Sequence, residues 1–228
     1  DQGYIHVKDQ LNNDQGTIIA NGGVDVESQN GLDNQGGQLN LGHVKIQGER
    51  FNNDQGQLTV KQAEIQTSSF SNQQGLLQSL TSLDVNSQSI DNQGGKMNAL
   101  NNIRLISSGN ILNQAGQIAS SSELYLQGLG LNNSGGDLEA GQLLKLSLSG
   151  HRSGVHQPIA IECQTAEIDL ASNSYIAALA VPNRMEKSTA HEFQRVFLPI
   201  DYPSSLAKVR RKNSADRAAG NHNQNPDS

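Results

Sequence analysis

Seven times between residues 11 and 138 the chain repeats one eight-residue word: LNNDQGTI (11–18), LDNQGGQL (32–39), FNNDQGQL (51–58), FSNQQGLL (70–77), IDNQGGKM (90–97), ILNQAGQI (111–118) and LNNSGGDL (131–138). Every copy reads apolar-x-Asn-x-x-Gly-x-apolar, with Asn13, Asn34, Asn53, Asn72, Asn92, Asn113 and Asn133 at its third position. Gly16, Gly37, Gly56, Gly75, Gly95, Gly116 and Gly136 stand at its sixth. The steps between successive Asn are 21, 19, 19, 20, 21 and 20 residues. Such a short unit cannot bury its apolar side alone, whereas stacked copies bury a continuous core.

Between the copies lies an apolar-x-apolar pair: Val24/Val26, Val44/Ile46, Ala63/Ile65, Leu83/Val85, Ile103/Leu105, Leu124/Leu126 and Leu144/Leu146, with Ile5/Val7 one period earlier. Alternation over short segments punctuated by Gly and Asn is strand chemistry, and the regular Gly leaves no helical stripe. The expected fold is all-β, a parallel β-helix of about 20 residues per coil. Stacking at ~4.8 Å superposes Leu11, Leu32, Phe51, Phe70, Ile90, Ile111 and Leu131 in one internal column. Four apolar positions per coil, each worth ~1.5–3 kcal/mol when buried, supply most of the stabilisation. A narrow interior also accounts for an aromatic content of only 4%.

Asn tolerates the left-handed backbone and bonds to nearby main chain, so it suits a corner between strands. Stacked Asn amides can bond to the coils above and below, as in cross-β ladders. The Gly three residues later is expected to supply a positive φ without a Cβ penalty.

Composition divides the chain. Residues 1–150 hold 21 of the 23 Gly, whereas all five Pro follow residue 150. We divide it into regular coils (1–146), irregular coils or a cap (147–180) and a Pro-containing basic tail (181–228), largely disordered at its end. At one period beyond Asn133 the motif positions hold Ser153 and His156, although Ile159–Ile161 and Ala166–Leu170 still alternate like strands. The net charge of −6 is unevenly divided, with 14 acids against 7 Lys and Arg up to residue 150 and 8 against 9 after it, but neither part is charged enough to argue for nucleic acid, and the run Lys208–Lys212 reads as a solvated segment. No apolar run reaches the length of a membrane helix, and no signal peptide opens the chain. Because the first residue is Asp1 rather than Met, the chain is read as a processed piece or fragment.

Together, the 20-residue apolar-x-Asn-x-x-Gly-x-apolar repeat and its Leu-x-Leu strand resemble the filamentous haemagglutinin repeats of bacterial two-partner secretion exoproteins, over residues 5–146. This family includes adhesins, haemolysins and contact-dependent growth inhibition effectors. The resemblance implies a right-handed β-helix that folds outside the cell after export through a dedicated outer-membrane transporter. The amino-terminal secretion domain that such a transporter recognises is not visible in this sequence. Host or neighbouring-cell glycans or proteins are the implied binding partners, and the implied location is secreted or at the cell surface.

The residues offer little to an enzymatic alternative. Asp14 and Asp54 share a motif position but lie two coils, or ~10 Å, apart, beyond the ~5–9.5 Å of a glycosidase pair. Asp33 and Asp91 are further apart. His191-Glu192 begins HExxR, with Arg195 where a zinc helix needs its second His. The single Cys163 permits no internal disulfide and no CxxC zinc site; alternating with Ile161, it reads as packed rather than nucleophilic despite His156 nearby. The expectation is no catalytic, cofactor or metal site, and a structural role for the Asn and Gly columns. Two functions follow: the shaft of an adhesin, or the delivery stalk of a growth-inhibition toxin whose effector is C-terminal or lost.

Overall fold

A computed structural model describes residues 3–21 and 23–149, together with the backbone of 160–170. The expectations for the rest of 150–228, for the side chain of Cys163 and for His151, His156, His191 and Lys208–Lys212 lie outside the described residues. All described regular structure is strand. In chain order the strands are β1 (Gly3–Val7), β2 (Leu11–Asn12), β3 (Thr17–Ile19), β4 (Val24–Ser28), β5 (Gly31–Asp33), β6 (Gln38–Asn40), β7 (His43–Asn52), β8 (Gln57–Val60) and β9 (Gln62–Ser71). They continue as β10 (Leu76–Ser79), β11 (Leu83–Asp91), β12 (Lys96–Ala99), β13 (Ile103–Ser107), β14 (Asn110–Leu112), β15 (Gln117–Ser120), β16 (Glu123–Gly128), β17 (Gly130–Asn132), β18 (Asp137–Leu148) and β19 (Ala160–Leu170).

Among the described residues every pair of neighbouring strands is parallel, each strand bonding to its equivalent one turn later. The result is a β-solenoid of about seven turns with three strand-bearing sides per turn. One side carries the apolar-x-apolar pairs, the second the first apolar residue of the motif, and the third the last. The column from Leu11 to Leu131 forms in the expected register. Its inner members Leu32, Phe51, Phe70, Ile90 and Ile111 are completely buried or within 1% of it. Coil spacing sets Phe51 on Phe70 with ring centroids 4.6 Å apart and planes 2° from parallel.

In two places the registration differs from the sequence reading. Val26, not Val24, pairs with Val44, and Ser28 pairs with Ile46; likewise Ile5 pairs with Val26. The segment between those two turns is only 18 residues long, so the apolar pair Val24/Val26 is out of phase by one alternation. Val24 is half-buried at the corner while Val26 takes the core position. A further inward column is not apolar and so gives no signal in the alternation: Thr67, Ser87 and Ser107 are buried two residues beyond the second apolar residue of each pair, while Ser28 is buried in the column of Ile46. Ser28 Oγ satisfies itself on the Gly31 carbonyl at 2.7 Å. Beyond residue 148 the backbone of β19 continues the stack on β18, with a bulge between Ala140 and Leu143; strands therefore occur where Ile161 and Ala166–Leu170 alternate.

Candidate functional site

Two features of the solenoid concentrate polar chemistry: the buried Asn–Gly corner and a column of charged side chains on the outer surface. At the corner, each motif Gly donates its N–H to the carbonyl of the Asn three residues earlier, at 2.9–3.1 Å in all seven coils. The chain reverses there in a β-turn, and the residue that adopts positive φ is its third. These residues are Gln15, Gly36, Gln55, Gln74, Gly94, Ala115 and Gly135, with φ between 52° and 64°. The expectation that the motif Gly supplies the left-handed turn is therefore incorrect, as is a left-handed role for the motif Asn.

Close packing between coils is what requires Gly. A Cβ on Gly37, Gly56, Gly75, Gly95, Gly116 or Gly136 would lie 2.0–2.3 Å from the backbone oxygen of the preceding coil's Asn. That oxygen is part of the sheet and cannot yield, so the column of glycines sets how closely the corners stack.

The seven Asn amides form one continuous hydrogen-bonded ladder. Asn13 Nδ2 donates to Asn34 Oδ1 at 2.6 Å, and the pattern repeats through Asn53, Asn72, Asn92 and Asn113 at 2.6–2.7 Å, ending on Asn133 at 2.5 Å. Each Nδ2 from Asn13 to Asn113 also faces its own turn's Gly carbonyl and the carbonyl of the residue immediately after the motif Gly of the next coil, as Asn72 does with Gly75 (3.3 Å) and Lys96 (3.2 Å). Asn34 to Asn113 are fully buried, so no water substitutes for a lost partner. Replacing Asn72 with Ala leaves the Asn53 amide, Asn92 Oδ1 and the Gly75 and Lys96 carbonyls short of partners, and buried groups so orphaned cost ~1–3 kcal/mol each. We expect about 3 kcal/mol from urea unfolding, and a larger loss for Asn72→Asp, whose carboxylate would face the Gly75 and Lys96 carbonyls and Asn92 Oδ1.

On the outer surface, the residue between the two members of each apolar pair builds a column: His6, Glu27, Lys45, Glu64, Asp84, Arg104, Tyr125 and Lys145. Glu27 accepts from the Tyr4 hydroxyl and lies 3.4 Å from His6 and 3.6 Å from Lys45. The Tyr4 hydrogen bond holds the Glu27 carboxyl below the usual carboxylate range and pushes the Tyr4 hydroxyl up. His43 contacts Asp25 at 3.1 Å, and Tyr4, Asp25, Glu27, His43 and Lys45 line an open cleft of about 260 Å³ with Glu64. Further along, Arg104 lies 3.1 Å from Asp84 and 5.9 Å from the Tyr125 ring centre. Both partners of the Arg104–Asp84 pair are about half exposed, and such pairs contribute ~0–1 kcal/mol. Arg104→Ala is therefore expected to change stability by less than about 0.5 kcal/mol in a urea titration, with the difference vanishing in high salt.

The sequence reading did not single out this column. It was accessible as the middle residue of each apolar pair, except at Glu27, which the out-of-phase Val24/Val26 pair conceals. Of the acids considered for hydrolysis, Asp14 is exposed, while Asp54 accepts from Ser71 Oγ and the Gln73 N–H. Asp33 and Asp91 likewise accept turn N–H groups, of Gln35 and Gln93. The structure does not bring these acids together; it uses three of them to tie corners. Among the described residues no three His, Cys, Asp or Glu side chains gather in a metal-binding group, and no helix is long and apolar enough to cross a membrane.

The haemagglutinin-repeat family model matches three overlapping segments, residues 2–63, 55–115 and 106–151. The chain belongs to the haemagglutinin-repeat family. The three matches cover the stack from its first strand to the end of β18, so the fold is that of a filamentous haemagglutinin-like shaft. Comparison with curated proteins and with solved structures returned no match. Adhesins and two-partner secretion are the context in which haemagglutinin repeats stand.

Proposed function

We propose that this chain is a non-catalytic shaft segment of a secreted or surface-exposed bacterial adhesin, exported by the outer-membrane transporter of a two-partner system and mediating attachment to host or neighbouring cells. The observation that carries this reading is the division of labour in each coil. Inward positions are committed to the apolar columns and the Asn ladder, leaving outward positions that vary from coil to coil and are mostly polar, with Ile19, Leu80, Leu100 and Leu129 as exposed apolar exceptions. A rigid rod with replaceable surface residues suits display and contact, because loss of one surface side chain does not disturb the stack.

Beads coated with the purified chain should adhere to host epithelial or bacterial cells several-fold above beads coated with an unrelated solenoid. Adhesion no greater than the control on every surface tried would refute the attachment role. A panel of polysaccharides and peptides should show no turnover. Turnover abolished by changing Asp14 together with Asp54 would refute the non-catalytic reading.

A further inference from the structure

The three strand-bearing sides of the solenoid differ in what their outward side chains do. On the side of the apolar-x-apolar pairs, Glu27 is held by Tyr4, His6 and Lys45, and Asp84 by Arg104. On the side of the column from Leu11 to Leu131, Asp33 takes the Asn52 amide, Asp54 the Ser71 hydroxyl and Asp91 the Gln73 amide. The third side, built from β3, β6, β8, β10, β12, β15 and β18, is different. Asn40, Thr59, Gln78 and Asn98 occupy one outward position in four successive coils, and Gln38, Gln57 and Gln117 stand two residues before that position in their own coils. All seven side chains are partly or fully exposed, and none hydrogen-bonds to another described group. Leu76 lies in the row of Gln57. At the corner that follows, Leu80 and Leu100 border the row in successive coils, 46% and 57% exposed.

We propose that this third side is a binding face for a linear, neutral polysaccharide lying along the solenoid axis. Charge, free hydrogen-bonding capacity and size select that occupant. No charge stands in the row from Asn40 to Asn98, and the charged side chains of the whole side, Lys61, Lys96, Asp137 and Glu139, sum to zero, so neither a polyanion nor a polycation is drawn to it. Each carboxamide offers two N–H donors and an acceptor oxygen. Sugar hydroxyls, donors and acceptors at once, can engage both by displacing the water that solvates them in the free chain. The row repeats every coil, at ~4.8 Å, close to the advance of one sugar in an extended β-linked glycan, so successive sugars meet successive coils. Leu76, Leu80 and Leu100 supply apolar contact for sugar C–H groups. Size argues against a second copy as the occupant: seven coils by about four strand residues is a strip on the order of 400 Å², about half of the ~800 Å² per partner of a stable protein interface. The inference rests on the attachment reading and gives it a face and a ligand class.

The test is calorimetric titration of the full chain with cellohexaose and with chitohexaose, both neutral and β-linked. At least one is expected to bind. Gln78→Ala combined with Asn98→Ala is expected to weaken that binding at least about tenfold without moving the urea midpoint, whereas Arg104→Ala, on another side, leaves binding unchanged. Should the double variant fail to fold, Gln38→Ala combined with Gln57→Ala, both exposed, takes its place with the same expected loss. Four results would overturn the proposal: no binding of either oligosaccharide, equal binding by the variants, tighter binding of a heparin hexasaccharide than of both, or a concentration-dependent dimer in sedimentation that protects β8 to β12 from hydrogen exchange. Coated beads separate this inference from the attachment reading. Beads carrying the double variant that adhere to cells as well as the original chain would overturn the inference alone. Original-chain beads that bind the oligosaccharide but no cell would support the face and refute attachment.

Discussion

Ile90→Asp is expected to remove most of the stability of the coils around it, on the order of 5 kcal/mol. Ile90 is fully buried and lies between Phe70 and Ile111 in the continuous column. The substitution deletes a packed side chain and places a carboxylate where the neighbouring rows are hydrocarbon. No cation in the column pairs with it, so the charge is uncompensated or must be neutralised by proton uptake. Because neighbouring coils contact only one another, the damage spreads through the stack as lost nearest-neighbour interfaces. Gln88→Asp, two residues away and exposed, should stay within about 0.5 kcal/mol. Urea midpoints of the two variants check both statements, and equal midpoints would show that the inward face was assigned wrongly.

Gly75→Ala is expected to cost about 3 kcal/mol and should clearly exceed Gly94→Ala. Backbone conformation alone predicts the reverse order, since Gly94 has φ +64° and Gly75 is not left-handed. Packing decides the order. A Cβ at Gly75 would lie 2.1 Å from the Asn53 backbone oxygen and 2.7 Å from Asn72 Oδ1, so two coils would have to separate at a corner where the Asn ladder holds them together. At Gly94 a Cβ meets only Gln74 Cγ at 3.4 Å, and the left-handed penalty is ~1–2 kcal/mol. The chain itself already accepts that penalty at the equivalent Ala115, with φ 52°. Thermal unfolding of the two variants side by side gives the order directly.

The motif was read correctly as the organising unit, but the reason for its glycine was not legible in one copy of it. Positive φ explains a glycine from its own residue's geometry, so it is the explanation a linear reading reaches first. The actual constraint is an oxygen some twenty residues earlier, brought within van der Waals range only when the coils stack. The charged column was hidden for a related reason. Tyr4, His6, Glu27 and Lys45 are spread over about forty positions, and one 18-residue turn moves Glu27 out of the simple alternation.

What the sequence by itself determined is the architecture: a 20-residue period, the alternation of apolar and polar residues, and the absence of any helical stripe leave a parallel solenoid as the fold that buries the repeated apolar positions. Those are local and periodic properties, and they survive being read one residue at a time. The tertiary structure alone decided which residues meet across coils: Val26 rather than Val24 beside Val44, Asn amide on Asn amide, and each motif Gly from Gly37 to Gly136 beneath the Asn carbonyl of the preceding coil. Coil-to-coil registration is set by the length of each turn and by packing at about 4.8 Å, so a change of one or two residues in one turn re-pairs side chains that the linear pattern leaves in phase.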